Sequence, residues 1–349
     1  MSVSVRQDVY YFLENTINAR YNVMSEAKNN CLRKGKTILF KEILMLITHL
    51  TAAACAAAAI CLGRSEYEKK ALSAEETTIY SSKVSKKRTF IFLSDLHENT
   101  FGQENEKLIQ VIDQIHPDAV LNGGDLIVTK GTHAKTDRSL SLIKELASRY
   151  PVYCGEGNHE NRIDWEPGKY GSEGNIYRNA LKQAGAICLK NNSAIFDTEI
   201  RITCLDLDKD FYKKALIHPV PSMPARYIEE KVGNPASGHF QILLAHSPLF
   251  FANYADWGAD MTLCGHFHGG TIRLPGLGGV MTPQYHFFLP WCAGIFENQG
   301  HYMAVSRGLG THSINIRLNN RPQLLALHIC PQTDGPAATP ILKKILQEL

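Results

Sequence analysis

Short apolar runs in this sequence stop repeatedly at residues able to bind metal ions. Residues 89–94 (TFIFLS) end at Asp95-Leu96-His97, and residues 118–121 end at Asn122-Gly123-Gly124-Asp125. Residues 152–154 lead into Gly155-Glu156-Gly157-Asn158-His159-Glu160, residues 240–245 (FQILLA) into His246, and residues 261–264 into Gly265-His266-Phe267-His268. Each alone carries little weight, because an Asp behind a strand is ordinarily a turn residue or a helix N-cap, and Asn158 alone reads as a turn asparagine. Five in order, each directly behind an apolar run, are not coincidence. Carboxylates, imidazoles and an amide oxygen together suit manganese, iron, zinc or cobalt, whereas calcium prefers an all-oxygen shell. Gly124, Gly157 and Gly265 permit tight turns in which backbone approaches such ions.

The runs themselves read as buried strands, and residues 103–115 and 137–149 between them have helical spacing. Strand alternating with helix predicts an α/β domain. In open α/β sheets, sites form beyond the carboxyl ends of strands, so the five groups are expected to converge. Further strands are expected at 194–196, 200–205, 303–306, 314–318 and 324–329.

The ordered set Asp95-x-His97, Gly124-Asp125, Gly157-Asn158-His159-Glu160, His246 and Gly265-His266-x-His268 resembles the signature of the calcineurin-like phosphoesterases, over roughly residues 89–330. Gly258-Ala259-Asp260, His268-Gly269-Gly270 and residues 306–310 are similar to a bacterial, membrane-associated branch. The resemblance implies an αββα sandwich of two facing sheets flanked by helices, and two divalent cations as cofactors. It assigns Asp95, His97 and His268 to the first cation, Asn158, His246 and His266 to the second, and Asp125 to both. It implies in-line attack on phosphorus by a water held between them. His159 would stand near the leaving oxygen as proton donor, with Asp95 orienting it. A phosphate mono- or diester is the implied substrate, either lipid-linked or a soluble nucleotide. No signature residue is missing, which argues against an inactive scaffold.

Outside the signature, Arg307 and His312 flank a glycine-containing loop and are candidates for a substrate phosphate. Trp165, Tyr170 and Tyr177 are candidates for an aromatic wall, although ordinary packing is the simpler reading. Residues 206–210 read as a solvated acidic turn, and residues 248–251 and 285–291 as apolar lips. Cys154, Cys204 and Cys264 fall in apolar runs and read as buried thiols.

Residues 43–63 contain no charged residue over 21 positions, about the ~20 needed to cross a bilayer as a helix. Lys28, Arg33, Lys34, Lys36 and Lys41 precede them, which puts the N-terminus in the cytoplasm and the catalytic domain outside, anchored in the cell membrane. A cleaved signal peptide is the competing reading. The expected organisation is therefore a cytoplasmic segment (1–42, with an amphipathic helix at 8–31), the anchor (43–63), a linker (64–88), the phosphoesterase domain (89–330) and a tail (331–349). The net charge of +3 shows no concentrated basic surface of the kind nucleic acid requires.

Overall fold

The computed structural model describes residues 3–345 apart from 215, 217–218, 220, 312–313 and 336–340. The chain divides into two units, Met1–Leu62 and Gly63–Leu349. The first is one helix that continues to Glu68 (Val3–Glu68), with no proline to interrupt it. The stretch expected as an amphipathic helix and the apolar run 43–63 are both parts of it.

The second unit is built on two sheets. In the first, the strand order is Ile341–Ile345, Ser73–Ser81, Gln323–Pro331, Arg88–Leu93, Ala119–Asn122, Val152–Cys154 and Ile187–Cys188. The last four of these run parallel, and Gln323–Pro331 lies antiparallel to Arg88–Leu93. In the second, the order is Gly294–Asn298, His301–Val305, Met261–Cys264, Phe240–Ala245, Ile200–Leu205 and Asn192–Ile195, with the four middle strands parallel.

The period-two alternation of side chains decides which layer each residue fills. Phe90 and Phe92 pack inward against Ile202, Ile242 and Leu263 of the facing sheet, while Ile91 and Leu93 pack outward under the helices Glu106–Ile115, Asp137–Ala147 and Glu173–Gln183. Leu243, Ala245 and Val305 face outward from the second sheet, under Tyr227 and Trp257 of its two helices. The architecture is therefore the expected four-layer αββα sandwich. The parallel strands are apolar on both faces because both faces are covered. Cys154, Cys204 and Cys264 lie buried among them, as expected.

Residues 64–88 are not a linker. Ser73–Ser81 is an inner strand of the first sheet, parallel to Gln323–Pro331 and paired along its whole length. Ile341–Ile345 adds a further strand from the expected tail. Residues 314–318 are largely irregular.

The strand role of residues 73–81 sets a test. Ile79 is buried in the core between the sheets, so Ile79→Ala should cost about 2–5 kcal/mol of unfolding free energy in a urea titration. A linker position would change it by less than about 0.5 kcal/mol.

Candidate metal centre

Every residue of the signature stands at or just past the carboxyl end of a strand. Asp95 and His97 follow Arg88–Leu93, Asp125 follows Ala119–Asn122, and Asn158 and His159 open the helix Asn158–Trp165. His246 follows Phe240–Ala245, and His266 and His268 follow Met261–Cys264. Asp95, His97, Asp125, His266 and His268 all have φ between 46° and 67°. Such left-handed backbone costs roughly 1–3 kcal/mol per non-glycine residue and persists only where surroundings over-determine it.

The over-determination is visible in hydrogen bonds. Glu160 accepts from the amides of Asp125, Leu126 and Gly157 at 2.9 Å each and of Ile127 at 3.4 Å, clamping one loop to the other. The Asp95 carboxylate accepts from Ser94 Oγ (2.7 Å) and from the amide of His266 (3.0 and 3.1 Å), tying the two sheets' loops together. Asp125 Oδ1 accepts from the amide of His159 at 2.8 Å. A Cβ at Gly157 would collide with that same Oδ1, so this position demands glycine.

The side chains converge in three overlapping groups: Asp95, His97 and His268; His97, Asp125 and His159; and Asp125, His246 and His266. Within each, the potential ligand atoms lie within 4.8 Å of one another. His97 Nε2 is 3.1 Å from His268 Nε2, and His246 Nε2 is 3.2 Å from Asp125 Oδ2. Asn158 Oδ1 is buried with no hydrogen-bond partner among the described residues.

Hydrogen bonds on the far side of each ring fix which nitrogen faces the cluster. Carbonyls can only accept, so His97, His246 and His268 donate from Nδ1 to the carbonyls of Ile127 (3.3 Å), Gly123 (2.8 Å) and Gly310 (3.1 Å), and turn Nε2 inward. His266 is reversed. The Gln284 amide donates to the carbonyls of Phe211 and Lys213, so its oxygen faces His266 Nε2 at 3.0 Å and leaves Nδ1 as the inward lone pair. His159 differs in kind, because its Nδ1 accepts the backbone N–H of Thr129 at 3.0 Å. In the neutral ring the proton then sits on Nε2, which makes this edge a donor.

Charge follows the crowding. Burial disfavours an ionised Asp125, yet His246, His159 and His97 around it hold its carboxyl well below the usual range. Burial likewise opposes a charged His246, but Asp125 and Asp95 carry its pKa up to about 10. Burial, with His246 and His268 nearby, holds His266 well below the ordinary imidazole range. Burial, with Asp125 adjacent, raises Asp95.

A cavity of about 680 Å³ opens onto Asp125, Asn158, His266 and His268. Trp165, Tyr212 and Tyr285 supply apolar wall, and Lys130, Arg162, Lys209 and Lys214 supply positive charge. Trp165 thus lines the cavity, whereas Tyr170 and Tyr177 are packed in the helix-covered core. Arg307 does not reach the cavity. Its guanidinium is held at 2.7 Å by the buried Glu75, and Arg317 lines the cavity instead. His312 lies outside the described residues. The Asp95 carboxylate, besides its bonds to Ser94 and the His266 amide, lies 3.4 Å from His268 Nε2 and 3.7 Å from His246 Nε2, while Thr129 meets His159 at Nδ1. Asp206 is buried rather than solvated, 3.9 Å from Lys190, and residues 248–251 pack largely into the core. Thr129, Gln284, Tyr212 and Arg317 belong to no motif and stand far in sequence from the side chains they serve, so only the fold reveals them.

The family model for calcineurin-like phosphoesterases matches residues 88–270. Among curated proteins, the uncharacterised metallophosphoesterase YkuE of Bacillus subtilis is 26% identical over 240 residues, covering 66% of this chain and 75% of its own. Phosphodiesterase YaeI of Escherichia coli is 26% identical over 248 residues, covering 68% and 81%. Among solved structures, a 5′-nucleotidase precursor from Thermus thermophilus aligns with TM-score 0.41 at 15% identity, over 74% of this chain and 54% of its own.

The Glu160 clamp is directly testable. In Glu160→Gln an NH2 faces backbone donors, so unfolding free energy should fall by about 1–3 kcal/mol. Calorimetry showing an unchanged midpoint would mean the two loops hold without the carboxylate.

Proposed function

The chain belongs to the calcineurin-like phosphoesterase family, and we propose that it is a membrane-anchored phosphoesterase using two divalent ions. The donor set fits such ions. Carboxylates and imidazole nitrogens converge in overlapping groups, the unpartnered Asn158 Oδ1 belongs to the same cavity, and the buried Asp95–Asp125 pair calls for positive charge. Asp95, His97 and His268 would hold one ion, Asn158, His246 and His266 the other, and Asp125 both, with manganese, iron, zinc or cobalt as the candidates. When bound, such ions supply Lewis acidity to the phosphoryl oxygens and lower the pKa of a water.

The chain's own residues do the rest. His159 is the proton donor to the leaving oxygen, and the observation that carries this is the Thr129 backbone N–H held by its Nδ1, which leaves the Nε2 edge of the neutral ring as an N–H donor. Lys130, Arg162 and Lys209 draw an anionic phosphoester to the cavity mouth. Trp165 and Tyr212, whose ring centroids are 5.9 Å apart, wall the cavity against solvent.

The membrane assignment rests on the N-terminal helix, which is long and apolar enough to cross a bilayer. Thr48 and Thr51 donate to carbonyls four residues back at 2.8 Å, so neither hydroxyl needs water there. The basic residues before position 43 favour a cytoplasmic N-terminus. A phosphorylated amphiphile, mono- or diester, is the substrate class that this anchoring favours.

Detergent-solubilised full chain should lose hydrolysis of bis(p-nitrophenyl) phosphate on chelation and regain it with manganese. His159→Ala should lower kcat by roughly 10²–10⁴-fold with metal content unchanged. Loss of metal together with activity would make His159 a ligand instead. Full activity without metal would refute the two-ion reading.

A further inference from the structure

The apolar run 43–63 is followed by almost no free chain. Arg317 N donates to Ser65 Oγ at 3.0 Å, Asn320 N to Glu68 Oε2 at 2.8 Å, and Lys69 Nζ reaches the Asn315 carbonyl at 3.4 Å. Ser65 and Glu68 are both buried by these contacts. At 1.5 Å per residue, Glu68 lies about 8 Å beyond Gly63 along the helix. The headgroup layer on one side of a bilayer is itself about 5–8 Å thick. The contacts of the catalytic unit thus begin within about 8 Å of chain after the apolar run ends.

Next to the fastening loop is an apolar ribbon. Ile272 bridges Leu318, and Arg273 N donates to the Leu318 carbonyl at 2.9 Å. The hairpin of Arg273–Leu274 and Gly278–Gly279 leads into a second turn, where Met281 bridges Phe287 and Phe288 N donates to the Val280 carbonyl at 3.1 Å. Pairing thus brings Leu277, Phe287 and Phe288 onto one ribbon, and they are 64%, 50% and 50% exposed, with Trp291 just beyond at 41%. Large apolar side chains left exposed on one ribbon mark an interaction surface, and aromatic residues are the type enriched at membrane–water interfaces.

We propose that this ribbon seats in the headgroup region of the bilayer crossed by residues 43–63, so that the enzyme takes its phosphoester from a lipid surface. This rests on the membrane-anchored reading above. Met281 and Tyr285 belong to the same ribbon and also line the cavity, so a lipid phosphate entering there passes from bilayer to metal centre without crossing open water.

The chain has three tryptophans, which makes the seat measurable. Full chain carrying Trp165→Phe and Trp257→Phe, reconstituted into phosphatidylcholine–phosphatidylglycerol vesicles, retains only Trp291. Replacing the lipids with acyl-brominated ones should quench its emission at least two-fold, while a variant keeping only Trp257 stays unchanged. Trp291 unquenched in protein that floats with the vesicles overturns the seat and leaves the anchor standing. Trp291 shielded from both bromolipid and aqueous acrylamide points to a second copy on the ribbon, and also overturns it. Failure of the full chain to float overturns the anchor, and the seat with it.

Discussion

Three carboxylates are buried around one point: Asp95, Asp125 and Glu160 are 0%, 2% and 3% exposed. Removing an ionised carboxylate from water costs several kcal/mol even after relaxation. Each is compensated differently. Glu160 is surrounded by four backbone amides, Asp95 takes a hydroxyl and an amide, and Asp125 leans on an amide and the imidazole of His246. The amides must be turned toward the carboxylates, and this is what holds five residues in left-handed backbone. The rest of the fold can be read as the scaffold that makes these turns affordable.

That scaffold is stiff where it needs to be. The strands that deliver the site are apolar on both faces and form two facing sheets between two helix layers. Their carboxyl ends are fixed by packing rather than by the loops they carry. The Asp95 carboxylate bonded to the amide of His266 joins the loops of the two sheets across the sandwich. Chemistry assembled from both sheets thus depends on the core between them, where Phe90 and Phe92 meet Ile242 and Leu263.

The site was legible in the sequence because both its positions and its types follow simple rules. Strand periodicity located the ends, and residue chemistry identified Asp95, His97, Asp125, Asn158, His246, His266 and His268 as a set. The sandwich itself came with the family likeness. Two misreadings share one cause. Residues 73–81 (SAEETTIYS) look like polar linker because Glu75 and its neighbours are hydrophilic, and Arg307 looks like a free cation on a loop. In the fold these two satisfy each other: burial would raise the Glu75 carboxyl, but the Arg307 guanidinium, with Gln323 and Ser73, holds it below its ordinary value. An ion pair between residues 232 positions apart leaves no local signal in either segment. Gln284 and Thr129 carry no local signal for the same reason, since each acts on a histidine that only the tertiary structure brings near.

The central claim is that the convergent side chains hold two ions, with Asp125 shared. Anomalous diffraction from crystals grown with manganese tests it most directly. The account predicts two anomalous peaks per chain, one among Asp95, His97 and His268 and one among Asn158, His246 and His266, both within coordination distance of Asp125. A single peak, or peaks away from Asp125, would contradict it.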